Sequence, residues 1–444
     1  MNYLFIHQNF PGQYRNVVAH LASQPGNQIY FITQPNDNVM PGVYKVTYTK
    51  DQRGAINCHA YSVELDRAIS TGAAAAEACR RLRDQGFRPD LVVGHSGWGE
   101  TLFVKDVFPD VPLLANFEFY YHSRGVDVDF DPEFSSIFND PSFLRARNGV
   151  SLLAFQAADW GHSATRWQRS LHPPELQARI SVMHEGVDTE LARPKPKAAF
   201  QLPGSRRKLS RQDEVLTYVA RNLEPYRGFH VLMRALPLLL RRRKRLQVVI
   251  VGGDDVSYGA PPPPLSTYRA MMLEEVGSQL DLERVHFLGL IDYRAYLSLL
   301  QVSSVHVYLT YPFVLSWSFV EALACGCVVV GSSTPPVLEI LRDCENGLTV
   351  DFFSHKALAD RIEEALEQPG KMQRLRAAAR STALEQFDLK NVLLPRWLKL
   401  FDDLIDGSRP PLLFDFERPG MEVRRQAERF STPLRLVAPR RQPR

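Results

Sequence analysis

EVLTYVARNLEPYRGFHVLMRALPLLLRRR, residues Glu214 to Arg243, places a short apolar run, a polar turn and a long amphipathic run in immediate succession. The run VLTYVA is short and rich in β-branched and aromatic residues, which suits a buried strand. From Phe229 onward apolar residues recur at helical spacing, and Gly228 stands where the chain must turn into that helix. A further apolar run, LQVVIVGG (Leu246–Gly253), completes a strand–helix–strand unit of parallel sheet. The turn RNLEPYRG sets Arg221 after the strand and Arg227 before the helix. Both therefore fall at one strand-end crevice, where two forked guanidiniums suit a diphosphate. The plainer reading is a pair of surface arginines.

The same alternation extends both ways. Toward the C-terminus come a Pro-rich loop at Pro261 to Pro264, VHFLG, the helical YRAYLSLLQ, VHVYLT, the helical SFVEALACG and VVVGSS. Toward the N-terminus come NYLFIH, the helical QYRNVVAHLAS, QIYFIT, the helical AAAAEACRRLRDQG, DLVVGH and PLLANF. Around Asp127 to Asn148 the rhythm is lost in an acidic, loop-like stretch. Between Arg193 and Arg211 the text RPKPKAAFQLPGSRRKLSR has no period and suits a linker or exposed hairpin. The expected fold is α/β, with two Rossmann-like doubly wound domains facing across a cleft. The expected division is 1–190, 191–385, a C-terminal helix 386–406 that crosses back to the first domain, and a basic flexible tail 407–444.

A chain of 444 residues with 45% hydrophobic content is long enough for two cores of about 150–200 residues each. The formal charge of +4 is nearly balanced, and its excess lies in RRRKR (Arg241–Arg245) and the tail. That argues against a nucleic-acid binder, and RRRKR ends an amphipathic helix, where cations complement the dipole. Five cysteines, with Cys325 and Cys327 as the one close pair, form neither a disulfide framework nor a zinc motif, so a reducing cytoplasm is the expected location. No basic leader and no run of about 20 apolar residues is seen. The Arg-rich tail is a candidate for peripheral contact with an anionic membrane at the inner face, against the plainer reading of a solvated charge run. Oligomeric state is not set by these features.

Ligands of doubly wound sheets bind beyond the carboxyl ends of the strands. Gly12, in HQNFPGQY after the first strand, lets the backbone turn tightly there, although Pro-Gly is also an ordinary turn and the spacing is not that of a dinucleotide fingerprint. His95, in GHSGWGE, is flanked by glycines and can orient a hydroxyl or stabilise charge; a hydrogen-bonded structural histidine is the bland alternative. Ser316, Ser318 and Glu321 lie where VHVYLT passes into a helix. A carboxylate over such a crevice can accept from the vicinal hydroxyls of a ribose.

Taken in order, these segments resemble the family 4 glycosyltransferases, retaining nucleotide-sugar transferases of the GT-B fold. HEGVDTELARP (His184–Pro194) resembles NGVDTxxFxP and RNLEPYRG resembles GRLxxxKG. EALACGCVVVGSSTPPVLEIL (Glu321–Leu341) resembles EAMAxGxPVVxxxxxxxxEil, and ENGLTVD (Glu345–Asp351) resembles xGxLv. The likeness covers roughly residues 1–405. It implies that Arg221 and Arg227 bind the donor diphosphate, Arg227 standing for a lysine, that Glu321 binds the ribose, and that His95 lies near the transferred sugar. It further implies a second domain that binds the donor, a first domain that binds a hydroxyl acceptor, and front-face transfer without a metal or other cofactor.

One departure stands out. Phe313 occupies the position, eight before Glu321, where the family carries a carboxylate for the donor sugar, and Val314, Leu315 and Ser316 replace the usual Gly-Phe-Gly. Either serines and loop amides take over the sugar contacts, or the pocket is rebuilt around Phe313 and Trp317. A non-catalytic nucleotide-sugar-binding protein on the same fold is the alternative function, and an epimerase or phosphorylase is a further one. The donor base, the sugar and the acceptor (glycan, as in polysaccharide biosynthesis, glycolipid or small metabolite) stay open, with the acceptor-choosing residues expected around Asn116 to Asp140.

Overall fold

Seven parallel strands form the first sheet: β1 (Asn2–Ile6), β2 (Gln28–Thr33), β3 (Val43–Thr47), β4 (Leu91–His95), β5 (Leu113–Asn116), β6 (Trp160–Ser163) and β7 (Ile180–Val182), in the order β3-β2-β1-β4-β5-β6-β7. A two-stranded hairpin follows, β8 (Ala199–Gln201) and β9 (Lys208–Ser210), so the aperiodic Pro/Gly/basic stretch is the hairpin of the two expected options. The second sheet has six parallel strands: β10 (Val215–Asn222), β11 (Gln247–Gly253), β12 (Val285–Phe287), β13 (Val305–Tyr308), β14 (Val328–Ser332) and β15 (Leu348–Val350). Their order is β12-β11-β10-β13-β14-β15. The computed structural model describes residues 1–50, 58–134 and 140–414. Most of the basic tail, and with it the expected membrane contact, lies outside the described residues.

The apolar runs become strands because both faces of each sheet are covered. Leu4, Phe5 and Ile6 of β1 are fully buried, as are Val248, Val249 and Ile250 of β11. The quoted helix spans Phe229–Arg242 and buries Phe229, Leu232, Leu236 and Leu239 against Leu216, Tyr218 and Ile250. Each such side chain contributes about 1.5–3 kcal/mol when fully buried. The arginine run at its end is an ion-paired surface: Arg242 meets Asp360 and Glu363, and both Arg243 and Arg245 meet Glu214.

Both sheets reverse strand order once, at β1/β4 and at β10/β13, and each reversal opens a crevice at the carboxyl ends. His7 and His95 stand at the first crevice, Arg221 and Thr310 at the second. Residues 1–412 form one compact unit, and contacts such as Phe119 with Phe313 and Arg15 over the Tyr293 ring join the two crevices.

Two local features differ from or sharpen the expectation. Asp127 to Asn148 is not all loop: Pro141–Arg147 is a helix, with the Asp140 side chain accepting the Ser142 N–H at its N-cap and proline in the first turn. The amphipathic segment from Leu389 begins with a π turn and continues as helix Leu394–Ile405. It packs on the first sheet although the chain has just left the second. Phe401 touches Tyr3 and Phe5, Trp397 lies edge-on to His162, and the Trp397 indole donates to the His184 carbonyl.

Candidate functional site

At the β10/β13 crevice a cavity of about 280 Å³ is lined by Arg221, Arg227, Ser316, Trp317, Ser318 and Glu321, with Tyr258, Leu290, Ile291 and Tyr296. The five expected donor-binding residues of the second domain, Arg221, Arg227, Ser316, Ser318 and Glu321, thus line one cavity. Arg227 is held in place by the backbone at Gly228, whose φ of +66° and contact with Leu309 leave no room for a side chain: a Cβ would lie 2.4 Å from Leu309 Cβ. The guanidinium is 5% exposed and donates to Thr310 Oγ1 (2.8 Å), the Val314 carbonyl (2.9 Å) and Tyr308 Oη (3.3 Å), with the Tyr258 ring 5.2 Å away. Burial works against its charge, but Tyr308, Tyr258 and Glu224 outweigh that and hold the guanidinium above its ordinary value. Among the described residues no carboxylate lies within ion-pair distance of it. Arg221, by contrast, is exposed at the rim, so the two arginines share the cavity at different depths.

Glu321 sits in helix Trp317–Ala324, 9% exposed, with Oε1 accepting from Tyr293 Oη and Oε2 from Tyr296 Oη, both at 2.7 Å. Burial raises its carboxyl, and the two tyrosine hydroxyls counter that. Ser316 precedes this helix without capping it; its hydroxyl pairs with that of Ser318 (2.7 Å) and its N–H donates to Tyr308 Oη (2.8 Å). The first-turn amides of the helix therefore receive no cap from the Ser316 hydroxyl, which suits an anion.

On the first-domain side, Gly12 has φ +53° and a Cβ there would meet the His7 imidazole at 2.8 Å. Its smallness makes room for His7, and it does not line the second-domain cavity. His95 is 1% exposed, stacks on Trp98 at 4.2 Å, and accepts the Gly97 N–H on Nδ1. With Nδ1 accepting, Nε2 is the ring's donor, and it faces Glu118 Oε2 at 3.6 Å. Gln13 donates to the other Glu118 oxygen at 3.0 Å. Burial alone would raise the Glu118 carboxyl, but His95, Gln13 and His7 together hold it below the usual carboxylate range. His7, beside His95 at 5.1 Å, is lowered to about 3 by burial and by its neighbour, so it is neutral. Across the cleft, the Trp317 indole reaches Glu185 Oε2 at 3.4 Å, and burial pushes the Glu185 carboxyl up to about 7.

Phe313 turns away from the cavity. It packs with Phe119 (4.8 Å), Tyr258 (5.0 Å) and Tyr226 (5.4 Å), part of a seam made by the first-domain segment 117–134. Tyr226 Oη donates to Asp127 (3.0 Å), Tyr311 Oη to Asp131 (2.8 Å), and Arg234 grips both oxygens of Glu133 (2.6 and 2.7 Å). Asp131, Glu133 and His230 bring ligand atoms within 4.8 Å of one another, a geometry that could hold a metal ion. Asp131 already engages Tyr311 and His230 Nε2, and Glu133 is ion-paired with Arg234, so the group works as a latch between the domains, with His230 Nδ1 left unpartnered.

Sequence reasoning passed over Glu185, His7, Tyr293 and Tyr296, and reached Glu118 only as one of the residues of Asn116 to Asp140 expected to choose the acceptor. His7 carried a signal, since it ends NYLFIH as His95 ends DLVVGH. Glu185 carried another, standing in HEGVD where the motif it resembles has asparagine.

Comparison with known proteins agrees with this layout. A profile described as "Glycosyl transferase family 4 group" matches residues 25–192, and one described as "Glycosyl transferases group 1" matches residues 204–382. No curated protein sequence matches the chain. Among solved structures, sucrose-phosphate synthase from Thermosynechococcus elongatus superposes with a TM-score of 0.68 at 17% identity, covering 92% of this chain and 100% of that one. A glycosyltransferase from Rickettsia africae gives 0.64 at 14% identity, covering 92% and 99%. HepE from Anabaena, solved in complex with UDP, gives 0.62 at 16% identity, covering 91% and 100%. With one profile on each parallel-sheet domain and the same two-domain architecture throughout these structures, the chain belongs to the family 4 type of GT-B glycosyltransferases.

Proposed function

We propose that this glycosyltransferase moves a sugar from a nucleotide-sugar donor to an acceptor hydroxyl with retention of configuration and without a metal ion. The observation that carries the reading is Arg227: a buried cation without a carboxylate partner, at a switch-point crevice, beside uncapped helix amides and Glu321. Tyr308, Tyr258 and Glu224 keep this guanidinium charged, and with no direct carboxylate partner it is available to a diphosphate. HepE, a protein of the same fold, has been solved with UDP, with UDP and glucose, and with UDP-glucose, which supports a nucleotide-sugar ligand.

In this reading residues 191–385 bind the donor and residues 1–190 the acceptor, with 386–406 tying the two together. Glu321 accepts from the ribose hydroxyls; Arg221 and Arg227 bind the diphosphate, with the hydroxyls of Ser316 and Ser318 and the uncapped first-turn amides of the Trp317–Ala324 helix. As the bond from the anomeric carbon to the phosphate oxygen breaks, charge builds on the departing diphosphate. Fixed positive groups lower that barrier, each contact by about 3–4 kcal/mol in a water-poor cleft. The acceptor oxygen forms its bond to the anomeric carbon on the same face, and its proton passes to the diphosphate oxygen. His95 holds a sugar hydroxyl. We place the reaction in the cytoplasm, at or near a membrane face; among the described residues no helix is long and apolar enough to cross one.

The test is release of nucleoside diphosphate from UDP-, GDP- and ADP-sugars in excess EDTA, with the product anomer read by NMR. Metal-independent release with the donor's anomeric configuration is expected. The alternative is a protein that binds the donor without turnover. It is favoured by Phe313, which offers no carboxylate to the sugar, and it predicts binding with no release.

A further inference from the structure

With Phe313 buried in the aromatic seam and the Val314 carbonyl held by Arg227, the loop after β13 presents no carboxylate to a sugar. Across from it, reached through Trp317, which lines the cavity and contacts Glu185, the first domain offers two. Glu118 keeps about a third of its side chain open (32%), and its Oε2 lies 3.6 Å from His95 Nε2, too far for a direct bond. Glu185, 10% exposed, receives a long 3.4 Å contact from the Trp317 indole. Two buried donors near these carboxylates also lack partners: His95 Nε2, on a side chain 1% exposed, and the Tyr14 hydroxyl, on a residue fully buried whose charged neighbours are Glu185, Glu118 and Glu100.

We propose that Glu118 and Glu185 hold the hydroxyls of the transferred sugar, taking over from the first domain the task that Phe313 gave up in the second. The proposal rests on the nucleotide-sugar reading of the cavity. The chemistry suits a ligand that bears hydroxyls, as a sugar does. A hydroxyl donates and accepts at once, so one placed between Glu118 Oε2 and His95 Nε2 satisfies both, which a cation or an apolar group cannot do. A second hydroxyl at Glu185 accepts from the Trp317 indole or the Tyr14 hydroxyl while donating to the carboxyl. The buried wall then has the hydrogen-bond partners it lacks, and a sugar without those hydroxyls leaves its polar groups unpaired. The raised Glu185 carboxyl fits a group that waits in a desolvated site for such a partner.

The test titrates UDP, GDP and ADP, and then UDP-glucose, UDP-galactose, UDP-N-acetylglucosamine, GDP-mannose and ADP-glucose, into the wild type and into Glu118→Gln and Glu185→Gln. Expected is a wild type that binds one diphosphate and a sugar form of it. Each variant then loses about tenfold or more on the sugar form and keeps the diphosphate within about twofold, which also shows that it is folded. Unchanged affinity for the sugar form overturns the proposal, as does equal loss on both forms, or a wild type that takes the diphosphate and none of its sugars. A wild type that binds no diphosphate overturns the nucleotide-sugar reading itself, a failure visible before any variant is made.

Discussion

Arg227 is buried, charged and hydrogen-bonded only to neutral oxygens. Its position follows from three consecutive pieces of sequence: a strand that ends at Asn222, a glycine that accepts φ +66°, and a helix that starts at Phe229. Arg227 and Glu321 were legible because strand, turn and helix are local. The tyrosines that engage Glu321 were not, since Tyr293 and Tyr296 come from the preceding helix and meet it only after the sheet is assembled. Glu118 and Glu185 were hidden for the same reason: a carboxylate after a strand reads as solvated until a second domain closes over it. Gly228→Ala tests the residue-level account. Its Cβ would meet Leu309 with φ in the left-handed region, so we expect a loss of about 1–3 kcal/mol in chemical denaturation and weaker nucleotide binding as Arg227 shifts.

Among the elements, fully buried strands such as β11 were legible from continuous apolar runs. β3 was not: it is an edge strand, VYKVT, with no residue buried. The segment 117–134 was misleading in another way. From Asp127 it reads as an acidic loop, and its residues were expected to choose the acceptor, yet Phe119, Phe130 and Phe134 pack into the second domain's core and its carboxylates meet that domain's tyrosines, histidine and arginine. Asp127, 4% exposed, is raised to about 6 by burial, against the Tyr226 hydroxyl, and its Oδ1 has no partner. A folded-state value above the unfolded one means that the native protein binds the proton more tightly. Stability is then fully present below pH about 4 and declines as pH rises toward 6, by up to about 3 kcal/mol. Asp127→Asn, with a neutral side chain at every pH, should remove that decline; urea melts at pH 4.5 and 7 that fall equally in both proteins would contradict it.

At the scale of the molecule, two sheets with the same strand logic place their switch-point crevices against each other. Seam and cross-over helix hold them so: the Glu339 carboxylate accepts the backbone N–H groups of Arg166 and Trp167, and Trp397 and Phe401 return to the first sheet. Alternating strands and helices made the two sheets legible, while the facing of the crevices depends on contacts 99 or more residues apart in sequence, such as Tyr226 with Asp127 and Arg166 with Glu339. Everything proposed for catalysis requires a diphosphate between those crevices, gripped by arginine and not by metal. The most direct measurement is calorimetric titration of UDP, GDP and ADP in EDTA into the wild type, Arg221→Ala and Arg227→Lys. One diphosphate should bind the wild type with chelator present. Arg221→Ala should weaken it by about tenfold, as loss of a charge-assisted contact does, and Arg227→Lys should retain most of the affinity, since a lysine still carries the charge. No binding to the wild type, or binding that EDTA abolishes, would contradict a metal-free donor site at Arg227.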